Sequence, residues 1–451
     1  MNLSIILLAA GHGTRMRSNT PKVLHKIAGF AMLEHVLSIA ASIPANHPEV
    51  TLKNIVIVTS EALEDSPCFK KIIQTYNNYS IKTVVQKYKF GTGHAVYTGL
   101  AKIARDGSGM TLIMYCDVPL ITLESVLNLI KHIQNNKYDV VGTAFEYIGN
   151  KPYGRFELDD SGNVIKVVEA SELDDVKFIK SNLCNAGMMI GKKTIIKDFV
   201  DKKCWDINHE LFEREVYLTD IFQASKSGYI KIHEDEAIGV NNRVELAAAE
   251  AIFQHRMRER MMCRGVTLIS PETVFFAADT TISHDTIIHP YVRFGTDVEI
   301  GYSCEIKSFC DIEGATIGHN SSVGPFARIR PNSQLEDHCK VGNFVELKNA
   351  YLATGVKASH LAYLGDIHVG SNTNVGAGVI ICNYDGENKH HTTIGSNVQI
   401  GANASIISPR YIGDSSKIGA GSVITDDVMD MEVAIARARQ VNKKRKGKVP
   451  S

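Results

Sequence analysis

The chain has 451 residues, 44% apolar and 22% charged, with 49 Lys plus Arg against 49 Asp plus Glu. At roughly 100–200 residues per domain this is material for about two to four globular domains of ordinary composition. With a zero formal balance, nothing in the overall charge points to nucleic acid or an anionic membrane as the main partner. Nine cysteines, an odd number with no Cys-x-x-Cys pair, argue against a disulfide framework and against a zinc site. They fit a reducing, cytoplasmic setting. The apolar run Leu3 to Ala10 is short and lacks a basic segment before it, so it does not read as a secretory signal. No apolar run approaches the roughly 20 residues needed to span a bilayer.

In chain order, Ile5-Ile6-Leu7-Leu8 reads as a buried strand and Val23 to Ala40 carries helical periodicity. Ile55 to Val58, Thr83 to Val85 and Leu112 to Tyr115 read as further strands, and His94 to Ile103 as a helix. This alternation predicts a Rossmann-like α/β domain with a mostly parallel sheet. Ligands in such sheets sit at the carboxyl ends of strands, so the loops after Leu8 and Tyr115 are the places to look. Asn242 to Met262 is rich in Ala, Glu, Arg and Met and predicts one long linker helix, stopped by Gly265 and Pro271.

From Ile282 an aliphatic or aromatic residue recurs every six positions: Ile282, Ile288, Phe294, Ile300, Ile306, Ile312. After a one-residue slip the series resumes at Ile317, Val323, Ile329, Leu335, Val341 and Leu347. It returns at Val369, Val375 and Ile381, and again at Ile394, Ile400, Ile406, Ile412, Ile418 and Ile424. A period of six suits neither a helix nor an ordinary strand; it predicts a three-sided parallel β-helix, one hexapeptide per face. The series reads as interrupted between Leu347 and Val369 and between Ile381 and Ile394, and interruptions in a solenoid are where function tends to be housed.

Leu8-Ala9-Ala10-Gly11-His12-Gly13-Thr14-Arg15-Met16 follows the first strand. Its small residues let backbone N–H groups approach a phosphate chain. It lacks the Gly-Lys-Ser/Thr of a Walker A loop, and Met16 stands where a dinucleotide fingerprint needs Gly. Arg15 and Lys22 follow closely, and two cations beside a glycine loop suit a triphosphate. In the second half, Lys348, His360 and Tyr363 lie in the first interruption, and Asn383-Tyr384 in the second. A histidine there is a candidate general base, because histidine as a residue type titrates near neutral pH. Arg330 and Lys348 are candidates for a phosphate.

The pattern Leu-Ala-Ala-Gly-x-Gly-Thr-Arg-Met…Pro21-Lys22 resembles the signature of sugar-1-phosphate nucleotidyltransferases. So do Gln86…Gly91-Thr92-Gly93-His94-Ala95, Tyr115-Cys116-Asp117-Val118-Pro119, Tyr153-Gly154-Arg155, Val168-Glu169, Asn185-Ala186-Gly187 and Gly239-Val240-Asn241-Asn242. Arg328-Ile329-Arg330-Pro331, Asn343 to Lys348, His360 to Asp366, Asn374 to Gly378 and Cys382 to Gly386 extend the likeness. Together they resemble the bifunctional bacterial N-acetylglucosamine-1-phosphate uridyltransferase/glucosamine-1-phosphate acetyltransferase family, from about Leu3 to about Arg437.

That resemblance implies a nucleotidyltransferase domain at 1–240, a helical linker at 241–264 and a left-handed β-helix acetyltransferase domain at 265–437. A basic tail follows at 438–451, read either as a frayed terminus or as a lid over an anionic ligand. It implies that Asp117 and Asn241 hold Mg²⁺, with Lys22 and Arg15 on the phosphates. Leu8, Ala9, Ala10, Gly11, Gln86, Gly91, Thr92 and Tyr115 would cradle the uridine nucleotide, and Gly154, Glu169 and Asn185 the N-acetylglucosamine. His360 would be the general base. Arg330, Lys348, Tyr363 and Asn374 would surround glucosamine-1-phosphate. Ala377, Asn383, Tyr384, Ala402, Ala420 and Arg437 would line the site of acetyl-CoA, a co-substrate. The implied product is UDP-N-acetylglucosamine, a precursor of bacterial envelope polymers including peptidoglycan and lipopolysaccharide. A homotrimer is expected, with no nucleic acid and no membrane insertion. Cys116, Ala186 and Ala402 depart from the family's usual Gly, Thr and Ser. Two rivals are a nucleotidyltransferase whose β-helix serves only assembly, and a non-catalytic scaffold; the His360 and Asn383-Tyr384 stretches argue against the first, and joint retention of Lys22, Asp117, Asn241 and His360 against the second.

Overall fold

A computed structural model describes residues 1–103, 109–148, 153–169, 181–204 and 215–443. The part of the basic tail from 444 to 451 lies outside the described residues. Met1–Phe253 and Gln254–Ser451 form two compact units, the division falling within one helix, Arg243–Cys263.

Among the described residues the first unit is built on a nine-stranded sheet. Its strands are β1 (Asn2–Leu8), β2 (Thr51–Thr59), β3 (Ile81–Val85), β4 (Met110–Tyr115), β5 (Val140–Glu146), β6 (Arg155–Leu158), β7 (Val164–Val168), β8 (Leu183–Lys192) and β9 (Ser227–Lys231). The spatial order is β3-β2-β1-β4-β8-β5-β9-β7-β6. The β3-β2-β1-β4 half is parallel, and β8 runs antiparallel to both its neighbours. Because successive side chains alternate faces, Leu3, Ile5 and Leu7 pack into one core and Ile6 into the other. Burial on both faces explains why β1 reads as a continuous apolar run.

The helical periodicity at Val23 to Ala40 yields a helix only from Met32, as Met32–Asn46. Ala28 and Gly29 take positive φ values of 46° and 85°, turning the chain into a small hairpin between Lys26–Ile27 and Phe30–Ala31. The Glu34 carboxylate then accepts from the Ala31 backbone N–H at 2.7 Å and fixes the new start. The periodicity at His94 to Ile103 is seen as Gly91–Leu100.

The second unit is a left-handed parallel β-helix. Short strands pair in parallel from one turn to the next, such as Thr267–Leu268 with Ile287–Ile288 and that strand with Glu305–Ile306. Every anchor of the six-residue series is buried. The first supposed interruption is not one. Leu352, Ala358 and Leu364 are buried, and Ala358 stacks between Val341 and Val375. Five-residue steps (Leu347 to Leu352, Leu364 to Val369) and a small Ala anchor hide the period there. The second interruption is real: between Cys382 and Thr392 the chain leaves the coil in a loop closed by a Tyr384–Lys389 bridge.

At one corner Tyr291, Phe309, Phe326 and Phe344 take φ values of 54° to 64° and stack with ring centroids 5.1, 4.8 and 5.2 Å apart. They remain about half exposed, as does Leu361 on the next turn. No helix among the described residues is long and apolar enough to cross a membrane.

Burial pushes the thiols of Cys310 and Cys339, inside the coil, up to about 11. At pH 8 only about one such thiol in a thousand is a thiolate, the reactive form. Iodoacetamide at pH 8 should therefore modify exposed Cys68 and Cys263 and spare Cys310 and Cys339 in the folded protein. Peptide mass spectrometry checks this; alkylation of Cys310 as fast as Cys68 would contradict the packing.

Candidate active sites

In the first unit, strand ends β1 and β4 lie side by side, Leu8 paired with Tyr115. The segments after them therefore converge. Gly13 turns at φ 62°, and a Cβ there would lie 2.7 Å from the Lys22 Cβ. The glycine thus lets Lys22 cross the loop. Lys22 is only 8% exposed, and its Nζ donates to Asp117 Oδ2 at 2.5 Å and Asn241 Oδ1 at 3.2 Å. Asp117 follows β4, and its carbonyl accepts from Val240 N–H at 2.7 Å. Asn241 is held through its backbone N–H, which donates to Glu245 Oε2 at 2.6 Å in the first turn of Arg243–Cys263. Two hard oxygens from segments 124 residues apart in the chain therefore point at one cation position. Among the described residues no group of three or more His, Cys, Asp or Glu is placed to hold a metal ion. Arg15 sits exposed on the Thr14–Met16 turn and does not join this cluster.

Buried Gln86 donates to the Gly91 carbonyl at 3.3 Å and lies 3.1 Å from His94 Nδ1. Gly91 has φ 89°, and a Cβ there would meet the Val216 carbonyl oxygen at 2.6 Å. Thr92 Oγ1 accepts from Leu218 N–H at 3.1 Å. Burial pushes the Tyr115 phenol well above its ordinary value, against a hydrogen bond with Thr92 and reinforced by the Asp117 and Glu169 charges, so it remains a donor. The Tyr115 ring lies against Gly187, where a Cβ would come within 3.3 Å. Nearby, Asn185 N–H donates to the Gly154 carbonyl at 2.8 Å, and a Cβ on Gly154 would lie 3.3 Å from Glu169 Oε2. Thr219 donates to Glu169. A cavity of about 410 Å³ opens beside the glycine loop, lined by Gly11, His12, Gln86 and Lys89 among others. Sequence reasoning passed over Lys89, whose Nζ donates to the Ala10 carbonyl at 2.6 Å and whose partial burial lowers its pKa.

In the second unit, Asn343 and His360 occupy aligned positions on adjacent turns. His360 Nδ1 lies 2.6 Å from Asn343 Oδ1. An amide oxygen only accepts, so Nδ1 carries the proton and Nε2 presents its lone pair. Nε2 has no hydrogen-bond partner among the described residues. Around the corner, Arg330 pairs with Glu346 at 2.9 Å, and Glu346 is aligned with Tyr363. The Tyr363 hydroxyl folds over Gly365, where a Cβ would lie 2.5 Å away. Lys348 is aligned with Gly365 and reaches Asp366 at 3.9 Å. Asn374 is aligned with Lys357, at the far end of its strand from His360.

Ala377, Ala402 and Ala420 stack on successive turns: Asn403 N–H donates to the Ala377 carbonyl and Gly421 N–H to the Ala402 carbonyl. Arg437 donates to the Ala420 carbonyl at 3.0 Å. Asn383 is buried, whereas Tyr384 projects from the loop, its hydroxyl donating to the Gly386 carbonyl. The adjacent His390-His391 pair resolves as loop structure, His390 bonding Asp385 at 2.6 Å and holding that carboxyl below its usual range.

A MobA-like NTP transferase domain model matches residues 5–156, and a bacterial transferase hexapeptide model matches 314–349 and 391–426. A bifunctional protein GlmU of Wolbachia pipientis is 40% identical over 449 residues, covering 98% of each chain. The chain belongs to the GlmU family of bifunctional proteins. GlmU proteins of Anaplasma marginale (strain Florida; 39% identical, 98% of each chain) and Bradyrhizobium sp. (41% identical, 97% of this chain and 95% of that one) match over the same extent. In this GlmU-family chain the nucleotidyltransferase model covers the glycine loop, Lys22 and Asp117, and the hexapeptide matches cover Arg330 and Lys348. His360 and Asn383 fall between the two hexapeptide matches, where five-residue steps and the loop break the period.

The tight fit at Gly91 gives a prediction. Gly91→Ala puts a methyl into both an unfavourable φ and the Val216 carbonyl, at a cost of about 1–3 kcal/mol. The melting temperature should fall by several degrees in a thermal scan; an unchanged melt would contradict the close approach.

Proposed function

We propose that the chain makes UDP-N-acetylglucosamine in two steps: acetyl transfer from acetyl-CoA to glucosamine-1-phosphate, then uridylyl transfer from UTP to N-acetylglucosamine-1-phosphate. Family membership carries the pair of activities, and His360 with its open Nε2 carries the acetyl half. In that half the sugar amine attacks the thioester carbonyl. Nε2 takes the amine proton as the C–N bond forms; the C–S bond then breaks, and the proton passes to the leaving thiolate. Asn343 orients the ring. Arg330, Lys348 and Tyr363 are the phosphate-side candidates, and Asn374 is assigned there by resemblance alone. Ala377, Asn383, Tyr384, Ala402, Ala420 and Arg437 would contact acetyl-CoA, the Ala377 N–H as a donor to the developing oxyanion.

In the other half, a phosphate oxygen of the sugar attacks the α-phosphorus of UTP in line, and the bond to pyrophosphate breaks. Lys22 leaves its ion pair to neutralise the phosphates, with Arg15 on the neighbouring turn. Leu8, Ala9, Ala10 and Gly11 supply the loop backbone, Gln86, Gly91, Thr92 and Tyr115 hold the nucleotide, and Gly154, Glu169 and Asn185 hold the sugar. The oxygen-only pair of Asp117 and Asn241 fits Mg²⁺, which when bound would neutralise phosphate charge and orient the chain.

His360→Ala should lower acetyl transfer by at least about 100-fold and leave uridylyl transfer intact, and Asp117→Ala the reverse. Separate steady-state assays check this. Near wild-type acetylation in His360→Ala would sink the acetyl mechanism.

We also infer a cytoplasmic homotrimer. Supporting it is the stacked, half-exposed aromatic ladder, set at left-handed positions where Asn or Gly would fold at less cost. Phe326→Glu should reduce the light-scattering mass from about three chains toward one; a wild-type mass of one chain contradicts the trimer.

A further inference from the structure

Asp366 belongs to no role assigned above, yet it ties together side chains on the turns before and after it. It is 9% exposed and adopts φ 51°. Asn349, one turn earlier, donates Nδ2 to its Oδ1 at 2.7 Å, and Asn383, one turn later, donates Nδ2 to its Oδ2. Lys348 Nζ lies 3.9 Å away, and Lys389 from the excursion loop stands near enough to feel its charge. Burial pushes the carboxyl up, but the two amide bonds and the two lysines outweigh it and leave it below the usual carboxylate range.

An ionised carboxylate has only acceptors, so the amide facing it must present NH₂. That settles which way the Asn383 amide turns. Its Oδ1 receives no hydrogen bond among the described residues and is not among the sealed, unpartnered atoms, so it stays accessible. We propose that Asp366 is a positioning residue for acetyl transfer: it fixes the Asn383 side chain so that Oδ1, an acceptor, faces the site and receives a substrate N–H. This rests on the acetyl-transfer reading above. Two substrate groups carry that chemistry, the sugar amine and the amides of the pantetheine arm. An amine gains positive charge as it attacks, so a bond from it strengthens on the way to the transition state and acts on kcat. A bond from a pantetheine amide acts on binding and is read in the KM for acetyl-CoA.

The test is a double-mutant cycle of Asp366→Asn and Asn383→Ala in the full chain. Asn tolerates the left-handed backbone at 366 and keeps the side-chain shape. With an amide in place of the carboxylate, either end of Asn383 can face the site. Asp366→Asn should lower kcat for acetylation (amine as donor) or raise the KM for acetyl-CoA (pantetheine as donor) by about tenfold. In the Asn383→Ala background the same change should move that parameter less than twofold, because its intermediary is gone. Uridylyl transfer serves as the internal control for folding. The proposal is overturned if Asp366→Asn stays within twofold of wild type on both parameters, or if its effect is as large without Asn383 as with it. His360→Ala is run alongside: retained acetylation there would fail the underlying reading instead.

Discussion

Each turn of the β-helix must return the chain to the same corner, and this closure decides what can meet in the second unit. Side chains 17 residues apart come into contact: Asn343 with His360, Asn349 with Asp366, and Asp366 with Asn383. Inward anchors spaced six, six and five residues apart make a turn of 17 here and hold that register, and the outward positions are free to carry chemistry. A polar network thus runs up the coil as a ladder, with each rung fixed by backbone hydrogen bonds to the rungs on either side. Reactive groups gain a precision that an isolated loop would not give them.

The first unit solves the same problem by another route. Its parallel strands bring sequence-distant loops to one carboxyl edge, where Lys22, Asp117 and Asn241 gather. Glycine is required there for space. At Gly13 it clears the path of Lys22, and at Gly91 it allows the helix start to press on the Val216 backbone. The Lys22 ammonium holds the two oxygens together and would be exchanged for other charges when a nucleotide arrives.

Much of this was legible in the sequence, because strong periodicity reports burial directly. The apolar strands and the hexapeptide anchors follow from side-chain spacing, and the helix Arg243–Cys263 from composition. The helix after Val23 was misplaced because a left-handed pair, Ala28-Gly29, interrupts an apolar pattern that otherwise continues. The coil between Leu347 and Val369 reads as broken in the sequence because Ala358 is a small anchor and two steps are five residues long. Candidate site residues with motif-like neighbours can be proposed from the sequence. Asp366 appears in the sequence only as the last residue of a motif, with no role, and Lys89 not at all, because their contacts lie 17 and 79 residues away. Tyr363 and Gly365 show the limit of spacing arguments, for their close contact depends on a side-chain rotamer.

In the proposed function one chain carries two chemically independent sites acting in sequence. The most direct measurement is mass-spectrometric product analysis of the purified chain with UTP, Mg²⁺, glucosamine-1-phosphate and acetyl-CoA, each omitted in turn. UDP-N-acetylglucosamine is expected only in the complete mixture, with accumulation of N-acetylglucosamine-1-phosphate when UTP is left out. Failure to form N-acetylglucosamine-1-phosphate from acetyl-CoA and glucosamine-1-phosphate, with uridylyl transfer to supplied N-acetylglucosamine-1-phosphate intact, would contradict it and leave the β-helix as an assembly element.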